Sequence, residues 1–109
     1  MSKSIILVTL EGCSKCSKIR NLLQDNNIKY REVSCSDDSE LCDELEKYTK
    51  IAVYPMVIVK DTLSNNSIIL HSTLDIKAVN KLNTINSNLS TIPAVSTEDT
   101  FNNLLKIIR

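Results

Sequence analysis

The sequence predicts an α/β fold built on a four-stranded mixed sheet with helices on both faces. Three observations predict it. Apolar runs of strand length alternate with segments of helical periodicity, in the order β-α-β-α-β-β-α-α. The first two strands flank a helix, which implies a right-handed parallel crossover. The third and fourth strands are joined through a turn at Ser64-Asn65-Asn66, which implies an antiparallel hairpin.

Each element has a local reason. Ser4–Leu10 holds Ile5, Ile6, Leu7 and Val8, apolar on both faces, so it reads as a central strand. Glu11-Gly12-Cys13 breaks it. Ser14–Asn26 carries Ile19, Leu22 and Leu23 on one side and Lys15, Lys18 and Arg20 on the other, a helix closed by Asp25-Asn26-Asn27. Ile28–Val33 reads as the second strand. Asp37 is the expected N-cap of the next helix, with Glu40 completing a capping box and Leu41, Leu45 and Tyr48 striping it through about Lys50. Pro55 precedes Met56–Val59, the third strand, and Ser67–His71 is the fourth. Asp75–Asn86 is expected to be helical. Ser87–Ser96, with Pro93, is expected to be a loop, and Thr97–Arg109 a final amphipathic helix with Phe101, Leu104, Leu105 and Ile108.

Length and charge narrow the function. At 109 residues the chain is expected to be one domain, residues 1–109. Thirteen basic residues balance thirteen acidic ones, which argues against a nucleic-acid partner, since such binders need a basic surplus. The single glycine excludes Gly-rich phosphate loops, and the single histidine excludes a His-rich metal site. No stretch approaches the roughly 18 apolar residues of a membrane span, so no membrane partner is expected. The apolar run near the N-terminus is too short for a signal peptide. The chain is therefore expected to start at Met1 and to be cytoplasmic. In a reducing compartment its four cysteines read as catalytic or metal-binding residues before structural staples.

Cys13-Ser14-Lys15-Cys16 leaves a predicted strand and opens a predicted helix. That placement carries the chemistry. A thiolate attacks disulfides, and an ordinary cysteine with a pKa of about 8.5 is mostly protonated at neutral pH. A helix N-terminus aims unpaired N–H groups at the sulfur, and Lys15 and Lys18 add positive charge. Cys13 is thus expected to be the more acidic and more exposed nucleophile, with Cys16 one turn further in to resolve a mixed disulfide. A bare C-x-x-C is also half of a zinc knuckle. The strand–Cys–helix context favours redox chemistry.

At this point the sequence resembles the glutaredoxin family. The resemblance rests on Ile5–Leu10, on Gly12-Cys13-Ser14-Lys15-Cys16, on the helix with Ile19, Leu22 and Leu23, on Ile28-Lys29-Tyr30-Arg31-Glu32-Val33, and on Tyr54-Pro55-Met56-Val57-Ile58. It covers residues 5 to 60 well and the remainder loosely. It implies a thioredoxin-like fold and a dithiol oxidoreductase acting on disulfide-containing proteins or small thiol substrates. The reductant it implies is glutathione or a reductase, with glutathione as co-substrate and no bound cofactor. It also implies a cis Tyr54–Pro55 bond beside the cysteines, and a substrate contact from the backbone of Val53. Lys15, Val53, Tyr54, Pro55 and Asp75 are the substrate-binding candidates. The chain departs from the family's glutathione-binding pattern. Leu10 stands where a lysine is usual, Lys15 where an aromatic is usual, and His71-Ser72-Thr73-Leu74-Asp75 lacks the usual Gly-Gly, leaving Asp75 as the candidate there.

Cys35 and Cys42 are expected to stay unbridged. With Cys42 inside the helix, a rise of 1.5 Å per residue sets their Cα atoms roughly 10 Å apart, beyond the ~7 Å bridging limit. Cys42 then reads as a small apolar side chain and Cys35 as a loop thiol without a fixed role, open to regulatory oxidation. Two alternatives stand beside the redox reading. One is a zinc or iron–sulfur module using Cys13 and Cys16 with Cys35 or a second subunit. The other is a redox-idle interaction subunit. No metal ligand set is expected. His71 reads as a strand residue. The seven acidic residues of Glu32–Glu46 read as a solvated face opposite the basic Lys15–Arg31 stretch.

Overall fold

The computed structural model describes residues 3–49, 52–61, 63, 66–72, 89–94 and 96–108. In chain order these form β1 (Lys3–Thr9), α1 (Ser14–Asp25), β2 (Arg31–Ser34), α2 (Ser39–Thr49), β3 (Met56–Asp61), β4 (Asn66–Ser72), β5 (Leu89–Ala94) and α3 (Thr97–Ile108). The strands make one mixed sheet in the order β2-β1-β3-β4-β5.

The four expected strands form as expected in kind. β1 and β2 are parallel, with Val8 opposite Val33, and β3 and β4 are an antiparallel hairpin, with Met56 opposite His71. The sheet has a fifth strand that corrects the loop reading of Ser87–Ser96. Leu89–Ala94 runs parallel to β4, with Pro93 opposite His71. Pro93 had argued for a loop, but β5 is a sheet edge, where a missing N–H is tolerated. The helix expected over Asp75–Asn86, and Asp75 with it, lies outside the described residues.

Alternation along the strands divides the core in two. Ile5, Leu7, Val57, Val59 and Leu70 face Ile19 and Leu23 of α1 and Phe101 and Leu104 of α3. Val8, Met56 and Ile69 face Cys42 and Leu45 of α2, together with Cys16 and Tyr54. Helices thus cover both faces, as the apolar character of β1 required. Among the described residues no helix is long and apolar enough to cross a membrane.

The helix ends follow local chemistry. Asn27 takes a left-handed φ of 56° after α1, and the Asn26 side chain donates to Leu22 O at 2.8 Å. The α2 N-cap is Asp38, not Asp37: Asp38 Oδ1 accepts from Leu41 N at 3.1 Å. Asp37 is drawn into the preceding turn, where its N–H and that of Asp38 both donate to Ser34 O at 3.0 Å. Ser96 caps α3, its Oγ accepting from Asp99 N at 3.1 Å.

Candidate active site

β1 ends at Thr9, and the chain must turn sharply to start α1 at Ser14. Gly12 makes that turn with a φ of +74°, a conformation that a side chain disfavours. The only glycine of the chain therefore stands where the backbone requires one. Cys13 is the N-cap of α1, in extended conformation, and its Sγ accepts a hydrogen bond from Cys16 N at 3.1 Å. The helix N-terminus is thus closed by a sulfur instead of the usual hydroxyl or carboxylate.

Cys13 is half-buried, whereas Cys16 is buried at 1% exposure. The difference matches the expected division between an accessible and an inner sulfur. Their Cα atoms are 5.2 Å apart, and the two are joined as a disulfide. Lys15 is exposed in the first turn of α1. Lys18, expected to add free positive charge here, instead pairs with Glu98 of α3.

The segment before β3 supplies the other wall. The Tyr54–Pro55 bond is cis, as the resemblance implied. Tyr54 O lies 4.0 Å from Cys13 Sγ, so the main chain of this loop runs beside that sulfur. Val53 is half-exposed, whereas Tyr54 and Pro55 are buried. The Tyr54 hydroxyl donates to Glu46 Oε2 at 3.1 Å, which ties the loop to α2. Burial, and then the neighbouring Glu46 carboxylate, pushes the Tyr54 phenol up to about 12.

Beside Cys13 opens a cavity of about 430 Å³, lined among others by Cys13, Ser14, Ser17, Arg20, Glu32 and Ser34. Arg20 grips Glu32 through both oxygens, Nε to Oε1 at 2.7 Å and Nη2 to Oε2 at 2.9 Å. This hydrogen-bonded pair holds the Glu32 carboxyl below its ordinary range and the Arg20 guanidinium above its own. Sequence reasoning had assigned Arg20 and Glu32 only to charged stretches. No local spacing signals the pair, because Arg20 lies on α1 and Glu32 on β2. Leu10 is 43% exposed beside the cysteine loop, at the position where the family usually has lysine.

Cys35 and Cys42 overturn the expectation that they stay apart. Their Cα atoms are 5.7 Å apart and the pair is joined as a disulfide. The 10 Å expectation extended the helix back to Asp37. In fact the turn at Ser34–Asp38 folds Cys35 back over the first turn of α2. Among the described residues no three His, Cys, Asp or Glu side chains are arranged to hold a metal ion.

A strand, a Cys-x-x-Cys helix start and a cis-proline loop, brought together where β1 ends and β3 begins, define a thioredoxin-like dithiol protein. The family model for glutaredoxin matches residues 5–63, which is more than half of the chain and contains the whole arrangement just described. The chain belongs to the glutaredoxin family. No curated protein matches it significantly.

Proposed function

We propose that this chain is a thiol–disulfide oxidoreductase that reduces or exchanges disulfides through a Cys13–Cys16 dithiol mechanism. The observation that carries the reading is the hydrogen bond from Cys16 N to Cys13 Sγ at 3.1 Å, made at a helix N-terminus. In the reduced enzyme that donor and the helix dipole favour the charged sulfur. The Cys13 thiolate attacks a substrate disulfide, forms a mixed disulfide and releases one substrate thiol. Cys16 then attacks the Cys13 sulfur, releases the second substrate thiol and leaves the Cys13–Cys16 disulfide. An external thiol, glutathione or a reductase, returns two electrons and resets the pair.

The backbone of Val53 and Tyr54 beside Cys13 is suited to hold an extended substrate chain, and Lys15 offers a cation at the helix start. Exposed Leu10 provides no charge for a glutathione carboxylate, so glutathione serves as a co-substrate held by fewer contacts than is usual for the family. The compartment we assign is the cytoplasm, where such a reductant is available.

The test is trapping. The Cys16→Ser protein, mixed with insulin, is expected to accumulate an insulin–Cys13 mixed disulfide that dithiothreitol releases. A Cys16→Ser protein that forms no adduct would overturn the reading.

A further inference from the structure

The described residues hold two bridged cysteine pairs, and the proposed function uses one. Cys35 and Cys42 are joined with Cα atoms 5.7 Å apart. As a staple this bridge does less than one that closes a long loop, because it spans only seven steps along the chain, and short loops restrict the unfolded chain least. The fold around it is also held without it. Asp37 N and Asp38 N both donate to Ser34 O at 3.0 Å, and Asp38 Oδ1 caps α2. None of those contacts involves either sulfur, so breaking the S–S bond leaves them in place.

Its position is the second observation. Cys35 N donates to Thr9 O at 2.9 Å, so Cys35 is fastened to the last residue of the strand that leads to Cys13. All four cysteines belong to one apolar cluster: Cys16 and Cys42 are buried within it, and Cys13 and Cys35 pack at its border. Ser34 and Ser36, which flank Cys35, line the same cavity as Cys13. Cys42 is 3% exposed while Cys35 is half-buried. The second pair thus repeats the division of the first, one reachable sulfur and one inner sulfur.

We propose that Cys35–Cys42 is a second redox centre that exchanges electrons with Cys13–Cys16 inside the same chain. The inference rests on the nucleophilic role of Cys13 proposed above. The Cys13 thiolate attacks the Cys35 sulfur, so that a Cys13–Cys35 bond forms, the Cys35–Cys42 bond breaks and Cys42 leaves as a thiolate that takes up a proton. Cys16, giving up its proton, then attacks the Cys13 sulfur and expels Cys35 as a thiolate. The net step oxidises Cys13/Cys16 by two electrons and reduces Cys35–Cys42 by the same two. Run in reverse, it recharges the active site. A fully reduced chain therefore stores four electrons and reduces two external disulfides before it needs an external thiol.

The decisive experiment uses the Cys16→Ser/Cys42→Ser double variant, oxidised with diamide at low protein concentration and mapped by peptide mass spectrometry. The expected result is a Cys13–Cys35 linked peptide in monomeric protein. Free thiols or intermolecular dimers alone would overturn the proposal. The insulin-trapping arm, run on Cys16→Ser/Cys35→Ser/Cys42→Ser so that no second thiol resolves the adduct, keeps the two readings apart: an insulin adduct there, without a Cys13–Cys35 link in the double variant, removes the relay and leaves the oxidoreductase. A second measurement needs no variant. Fully reduced wild-type chain, given one equivalent of diamide, is expected to redistribute its single disulfide between the two pairs at a rate independent of protein concentration. A rate proportional to concentration, or no redistribution, would contradict the relay.

Discussion

The Tyr54 hydroxyl donates to Glu46 Oε2 at 3.1 Å and so joins helix α2 to the loop whose carbonyl lies 4.0 Å from Cys13 Sγ. This bond links the helix that carries Cys42 to the loop beside Cys13. Replacing Tyr54 by Phe removes one hydrogen bond to a partly buried carboxylate and is expected to cost about 1 kcal/mol. The pH dependence has a definite sign. An unfolded tyrosine ionises near 10, whereas folded Tyr54 is held neutral until about 12. The stabilisation is therefore complete below pH 10 and is lost as pH rises towards 12. Urea unfolding of both proteins between pH 8 and 12 checks this, and the Phe variant is expected to lose less stability in that window.

His71 is fully buried, and among the described residues neither ring nitrogen has a hydrogen-bond partner. Burial lowers its pKa below 6.5, so the folded chain holds it neutral. The unfolded chain binds the proton more readily, and stability falls as pH drops below 6.5 through the lower folded value. A His71→Leu protein is expected to equal or exceed the wild type at pH 7, because it removes unpaired polar atoms that cost about 1–3 kcal/mol when buried. It is also expected to lose less stability between pH 7 and 5. Chemical denaturation of the pair at three pH values measures both effects.

Arg20 and Glu32 form a two-pronged but half-exposed pair in the wall of the cavity beside Cys13. Solvent screening limits such a pair to about 0.2–1 kcal/mol. Its contribution is present above pH 4.5 and disappears as pH falls through the depressed Glu32 value. Arg20→Ala is expected to change the unfolding midpoint little and to shift KM for charged disulfide substrates in a salt-dependent way. Steady-state kinetics at low and high salt reads this.

Leu104 is fully buried where α3 meets the sheet, in the cluster with Leu7, Val57 and Leu70. Leu104→Ala is expected to destabilise the chain by about 2–5 kcal/mol, through lost burial and the cavity left behind. Calorimetry or urea unfolding tests it.

Much of this was legible in the residues. The apolar runs placed β1, β3 and β4, and the helical stripes placed α1, α2 and α3, because each pattern reports which faces are buried. The Cys13–Cys16 pair was legible from its place between a strand and a helix. Tertiary geometry hid the remainder. β5 is a short edge strand containing Pro93, and its pairing with β4 is not a local property. The turn of Ser34–Asp38 draws Asp37 away from the cap and Cys35 towards Cys42. That reversal depends on the two N–H groups donating to Ser34 O, which no periodicity records. Arg20 and Glu32 meet only because α1 lies across the crossover from β2, so their charge pairing was invisible as spacing.

The most direct test of the account is the rate of insulin disulfide reduction by the Cys13→Ser protein, assayed beside the wild type under the same external reductant. If Cys13 is the attacking sulfur at the start of α1, the variant falls to the uncatalysed background while its unfolding transition stays cooperative. A folded Cys13→Ser protein that reduces insulin at the wild-type rate would contradict the central claim.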